Sequence, residues 1–293
     1  MQNLEEKVPL PQVDTAQAAI KLVAIETTQV GAVLHVTLNR PESRNAMSLK
    51  MVAELRQVLA LAQAQAGQKD AIRVLVLRGA GGHFCAGADL KDMAGARMQA
   101  MQTAKEVGAP DPIAQVNAEF GALCVDYAQT GLAVVAVLEG TVMGGGFGLA
   151  CVADVVLASE TASFRLPETS LGVVPAQIAP FLVERLGYSQ AKRLAVTGGR
   201  LDAQAALRIG LVHSVVNSAE LQAELNKVLT DILACAPGAL AATKALMARA
   251  RLSPPQDLVQ DAAAIFSRAA QGPEGVEGMT AFIQKRKPQW ALQ

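Results

Sequence analysis

Three short apolar runs constrain this chain more than any other feature: Ile72–Leu77, Ala133–Leu138 and Val155–Ala158. Each has the length and composition of a buried β-strand, and the first ends at the turn "RGAGG". Segments of helical period alternate with them, the first lying ahead of Ile72. In Ser48–Ala66, Met51, Val52, Leu55, Val58, Leu59 and Ala62 mark one face, and Gly67 supplies a stop. Strands alternating with helices predict an α/β fold with a mostly parallel sheet built through crossovers.

The flanks complete the expectation. Val23–Thr27 and Ala32–Leu38 have strand character around Gly31 and predict an antiparallel hairpin. Residues 201–216 read as an Asp202 N-cap, a short helix, a Gly210 stop and a last short strand. Residues 218–236, 238–251 and 255–270 then read as helices separated by Pro237 and Pro254-Pro255. Residues 94–131 are the least regular part, rich in Met, Gln and Ala, and suit the wall of a pocket. The expected organisation is a loose leader over 1–20, a core over 21–215 and a helical region over 216–293.

Balanced charge, 26 basic against 26 acidic residues in 293, disfavours nucleic acid as a partner. The cluster Lys285-Arg286-Lys287 reads as a solvated helix end. Cys85, Cys124, Cys151 and Cys235 show no C-x-x-C spacing and read as reduced packing residues of a cytoplasmic protein. No secretory signal pattern opens the chain. The apolar stretch around 131–159 is interrupted by Glu139 and Asp154, leaving too little between them for the ~20 residues of a membrane span.

No P-loop, dinucleotide fingerprint or G-x-S-x-G elbow is present. His35, His83 and His213 lie far apart, without ligand spacing, and read as surface or loop residues; no metal is expected. What remains is a pair of glycine-bearing turns, "HFCAGADLKDM" (83–93) and "EGTVMGGGFGLA" (139–150), each following an apolar strand. A turn opening into a helix leaves backbone N–H groups unpaired. Two such turns side by side can aim two donors at one developing oxyanion, and small residues let a substrate reach the backbone. The same glycines also suit plain helix–strand packing. Glu168, one residue after Pro167 in an apolar neighbourhood, is a candidate acid or base with a raised pKa. A turn or helix-start acid is the alternative.

Taken together, "LNRPESRNAMS", "HFCAGADLKDM", "VAVLEGTVMGGGFGLACVADVVLA", "FRLPETSLGVVP" and "TGGRLDAQAALRIGLV" resemble the enoyl-CoA hydratase/isomerase (crotonase) superfamily, in its order and spacing from about residue 22 onward. The resemblance implies a spiral of ββα units with a helical C-terminal trimerisation region, as a homotrimer or dimer of trimers. It implies an acyl-CoA thioester as substrate and no separate cofactor. The enolate oxygen would be held by the backbone N–H groups of Ala88 and Gly145, with Gly144 beside them. The CoA moiety would run along Ser43, Arg44, Asn45 and Ala46, and along Ala86, Gly87, Asp89, Leu90 and Lys91. Phe282 and Lys285 match a C-terminal helix that approaches the CoA of a neighbouring subunit.

The chain also departs from that pattern. A two-glutamate hydratase has "GGGCEL" or similar, but Phe147-Gly148 follow the triplet here, so the first carboxylate is missing and Glu168 stands alone. Arg165 replaces a usual glycine. One carboxylate suits double-bond migration, yet "GHFCAGADLKDMAGAR", "PETSLGVVPAQIAPF" and "EGVEGMTAFIQKRKPQW" resemble the bacterial isohexenylglutaconyl-CoA hydratases of acyclic-terpene breakdown. The resemblance therefore points first to hydration of a branched glutaconyl-CoA, of isohexenyl or 3-methyl type. A Δ3-Δ2 enoyl-CoA isomerase comes second, and a non-catalytic acyl-CoA-binding protein stays open. Arg97 and Arg165 are the cations nearest the motifs for a substrate's second carboxylate.

Overall fold

The structure, a computed structural model, describes residues 22–68, 70–103 and 111–291. The expected leader over 1–20 lies outside them. The hairpin is β1 (Ile25–Val30) and β2 (Val33–Leu38), paired antiparallel from Ile25 opposite Leu38 to Val30 opposite Val33. Gly31, at φ 55°, supplies the positive φ of its two-residue turn. β3 (Val74–Gly79), β4 (Ala133–Leu138), β6 (Val155–Ser159) and β9 (Ser214–Val216) then add in parallel, giving the order β1-β2-β3-β4-β6-β9.

The continuous apolar runs are explained by burial of both sheet faces. Leu75 and Leu77 enter one core, and Val74 and Val76 enter the other. The first core lies under α1 (Leu49–Ala64), α3 (Pro112–Gln129), α4 (Gly145–Val152) and α5 (Ala179–Thr197). The second is covered by α7 (Leu221–Ala234), whose Leu221, Leu225, Leu229 and Leu233 form one row at four-residue spacing.

A second sheet has the order β5-β7-β8, from β5 (Thr141–Met143), β7 (Ser163–Arg165) and β8 (Arg200–Asp202), with α6 (Ala203–Arg208) following. Single parallel bridges, Cys85 to Val142 and Met47 to Ala88, extend it. Each turn of the chain thus contributes a long strand, a short one and helix, which is the spiral of ββα units. The short strands carry three residues each, too few to stand out in the sequence.

Helices end the chain: α7, α8 (Pro237–Ala250), α9 (Pro255–Gln271) and α10 (Pro273–Ile283). The boundary at 215/216 falls inside β9, and the helical region begins at Leu221. Residues 94–131 are more regular than expected, because α2 (Leu90–Thr103) and α3 account for most of them. Cys85, Cys124 and Cys151 are buried, but Cys235 is exposed, since it caps the C-terminal end of α7. His83 and His213 lie in loops as expected, His83 half-buried and His213 exposed, and their rings accept from the N–H groups of Thr141 (3.1 Å) and Val156 (2.9 Å). Among the described residues, no single helix is long and apolar enough to cross a membrane.

Candidate active site

The two glycine-bearing turns meet at the C-terminal ends of β3 and β4, where ligands of parallel sheets gather. Met47 donates to Gly87 O at 2.7 Å and accepts from Asp89 N–H at 3.0 Å. It thereby engages the neighbours of Ala88 on both sides, and the N–H of exposed Ala88 faces away from Met47. On the other turn, Gly144 has φ 47° and ψ −114°, the first central conformation of a type II′ turn, which a side chain would oppose. That reversal starts α4 at Gly145, so the Gly145 N–H lies in the first turn, where no helical acceptor exists. The positive end of the α4 dipole adds to it.

The turns lie within van der Waals reach of each other, and the positive φ of Gly87 and Gly144 disfavours a side chain at either. A Cβ on Gly87 (φ 100°) would lie 3.4 Å from Met143 O, and one on Gly144 would lie 3.5 Å from Gly87 Cα. Gly146 rests on Cys85, whose Cβ would be 2.6 Å from an added methyl. The buried Cys85 thiol, pushed up to about 11 by desolvation, stays neutral beneath the site.

Glu168 joins this junction from the far side. Its Oε1 lies 3.1 Å from where a Gly144 Cβ would be, and its Oε2 is buried without a hydrogen-bond partner. Burial raises its pKa above the ordinary carboxylate range, opposed only by its own backbone N–H. The carboxyl rides on a short 3-10 turn, Glu168–Leu171, whose Val173 N–H returns to Glu168 O at 3.0 Å. Arg165 ties the pieces together through its carbonyl, which accepts from Gly144 N–H at 3.2 Å. Its guanidinium lies 3.5 Å from Ser170 Oγ and makes no ion pair with Glu168 among the described residues. Arg97 is exposed on α2.

The position of the missing carboxylate is filled. A Cβ on Gly148 would lie 2.4 Å from Ile178 Cγ2 and 3.4 Å from the Phe120 ring. Phe120, on α3, also lies 3.2 Å from where a Gly145 Cβ would be. Phe120 and Ile178 therefore form an apolar wall beside the Gly145 donor. The sequence singled out neither. The suitability of 94–131 for a pocket wall pointed toward Phe120, but only packing selects it.

The expected CoA-binding segments surround the turns in differing roles. Asn45 is fully buried, and Arg44 and Asn45 both have left-handed φ, 50° and 57°. The Asn45 side chain accepts from Arg40 N–H at 2.8 Å and donates to Ala80 O (2.9 Å) and His83 O (2.6 Å). Asp89 pairs with Arg40 at 2.6 Å and accepts from Lys91 N–H at 2.8 Å. Arg40 beside it and the Lys91 amide hold its carboxyl below the usual range, against the opposing effect of burial. These two side chains are thus committed to holding the loop. Ser43, Ala46 and Ala86 are half-buried, while Arg44, Leu90 and Lys91 are exposed. Phe282 (85% exposed) and Lys285 sit at the end of α10, which packs on α9, and are not among the residues gathered at the two turns.

Comparison with known proteins agrees with this architecture. The sequence matches the enoyl-CoA hydratase/isomerase family over residues 28–293. AtuE of Pseudomonas aeruginosa superposes with a TM-score of 0.85 at 48% identity, over 92% of this chain and 100% of that one. An enoyl-CoA hydratase/isomerase of Marinobacter aquaeolei gives 0.84 at 48% identity, over 92% and 99%. Carnitinyl-CoA dehydratase of Proteus mirabilis is 32% identical over 277 residues, 91% of this chain and 98% of its own length. Mevalonyl-coenzyme A hydratase of Aspergillus fumigatus is 32% identical over 264 residues, 88% and 91%. With the two turns, the carboxylate beside them and matches of this extent, the chain belongs to the enoyl-CoA hydratase/isomerase family, the crotonase superfamily.

Proposed function

We propose that this enzyme adds water to a branched glutaconyl-CoA thioester of the isohexenyl or 3-methyl type, as a hydro-lyase needing no cofactor beyond the CoA of its substrate. The carrying observation is Glu168: a partly buried carboxyl with raised pKa and an unpartnered oxygen, against the glycine junction. In this reading the Ala88 and Gly145 N–H groups hold the thioester oxygen. Glu168 takes a proton from water as hydroxide adds to C3 and the electron pair moves onto that oxygen. The enolate then collapses as Glu168 returns the proton to C2, so one water supplies both new groups. The CoA portion lies along Ser43–Ala46 and Ala86–Lys91. The enzyme works in the cytoplasm as a homotrimer or dimer of trimers, with Phe282 and Lys285 reaching a neighbouring subunit's CoA.

The apolar filling around Gly148 favours a second reading, Δ3-Δ2 enoyl-CoA isomerisation with Glu168 as the single base. A panel of thioesters followed by chromatography, which resolves the 3-enoyl and 2-enoyl isomers, coupled to mass spectrometry separates the two. Hydration of 3-methylglutaconyl-CoA or its isohexenyl homologue adds the mass of one water. Conversion of 3-enoyl-CoA to 2-enoyl-CoA with glutaconyl thioesters untouched establishes the isomerase.

A further inference from the structure

A water that attacks carbon has two hydrogens to place. One goes to Glu168, and the other needs a second acceptor if the lone pair is to be aimed. The wall formed by Phe120, Ile178, Gly145 and Gly148 offers no side-chain acceptor. Immediately beside it, one amide does. Gln177 precedes Ile178 and lays its side chain over Gly121, the residue after Phe120 on α3. A Cβ on Gly121 would lie 2.1 Å from Gln177 Oε1 and 2.6 Å from its Cδ, so the missing side chain at 121 is what admits the amide. Gln177 Nε2 donates to Asn117 Oδ1 at 2.8 Å. Asn117, Phe120 and Gly121 share one face of α3 by three- and four-residue spacing. In the structure the bond to Asn117 engages the nitrogen end of the amide. It commits the nitrogen and leaves Oε1 without an intramolecular hydrogen bond among the described residues.

We propose that Gln177, oriented by Asn117, accepts the second hydrogen of the attacking water and so orients it for addition. This inference rests on the hydratase reading above. It assigns Gln177 to hydration and not to proton transfer by Glu168, and that difference makes it testable.

The experiment compares wild type with Gln177→Met, Gln177→Glu and Asn117→Leu in two assays. One follows hydration of 3-methylglutaconyl-CoA. The other follows exchange of the C2 proton of the saturated 3-methylglutaryl-CoA thioester in deuterated water, which requires Glu168 and the thioester-oxygen donors but no attacking water. Gln177→Met is expected to lower the hydration kcat about tenfold or more, the scale of one lost hydrogen bond in the transition state, with exchange within about twofold of wild type. Gln177→Glu keeps an acceptor oxygen and is expected to recover most of the hydration rate. Asn117→Leu is expected to fall between wild type and Gln177→Met in hydration alone. Equal loss in both assays, or an unchanged hydration rate in Gln177→Met, overturns the role of Gln177. A wild type that exchanges the C2 proton but hydrates no enoyl thioester overturns the hydratase reading itself, and this inference with it.

Discussion

At the scale of the residue, the proposed chemistry rests on Glu168 and on Gly144 beside it. Replacing Glu168 with Gln keeps the shape and removes the proposed base. We expect kcat for hydration to fall by about 10²- to 10⁴-fold with an unchanged fold, measured by steady-state kinetics and circular dichroism. The raised pKa sets two pH trends of opposite sense. The base must be ionised, so kcat falls as pH drops through a value above the ordinary carboxylate range. Between the unfolded and the folded pKa, the folded state holds more protons, so Glu168's contribution to stability declines as pH rises across that window. Glu168→Gln should abolish that decline, visible as a flatter dependence of Tm on pH. A steeper dependence in the variant contradicts the assignment. Gly144→Ala places a Cβ 3.1 Å from Glu168 Oε1 on a backbone that disfavours one. We expect a loss of about 1–3 kcal/mol in denaturant unfolding together with reduced kcat.

At the scale of the element, loops are held by buried polar side chains whose importance the sequence hides. The Asn45 side chain makes three hydrogen bonds to backbone groups of the loop beginning at Arg40 and the turn after β3. Asn45→Ala strands those groups, and we expect it to cost about 1–3 kcal/mol in unfolding experiments. Because the loop lies along the proposed CoA path and not at the reacting carbons, KM should rise more than kcat falls. Glu54 is similar: on the apolar face of α1, it is 1% exposed and caps Val23, Ala24 and Ile25 N–H at 2.9, 2.9 and 3.1 Å. The period of α1 was legible: all six predicted core residues are buried, and Ser48 accepts from Met51 N–H as N-cap. Glu54 was not, because the N–H groups at and just before the start of β1 pack across it and, with Lys50 at 3.4 Å, make a charge tolerable there.

At the scale of the molecule, the C-terminal helices are incompletely covered. Among the described residues of this single chain, α8 buries none, α9 buries Leu258 and α10 buries Ala281. Met247, Phe266, Met279, Phe282 and Ile283 stand more than half exposed, at 67%, 75%, 53%, 85% and 78%. A face of this kind is expected to be covered by further copies of the chain. Sedimentation analysis should give three or six times the mass of one chain, and Phe266→Asp should shift the distribution toward smaller species.

The sequence by itself determined the α/β alternation, the hairpin, the strand Ala133–Leu138 and the Asp202 cap, since each follows from local period, turn chemistry or a side chain reaching its own backbone. It also marked both glycine turns and Glu168 as candidates. Only the tertiary structure decided that Gly87 and Gly144 abut, that Ala88 turns its N–H away from Met47, and that Ile178 and Phe120 close the space beside Gly148. Those facts depend on crossovers that bring residues far apart in the chain to neighbouring strand ends. The three-residue strands of the second sheet exist through pairing with one another, so no periodicity within any one of them could have announced it.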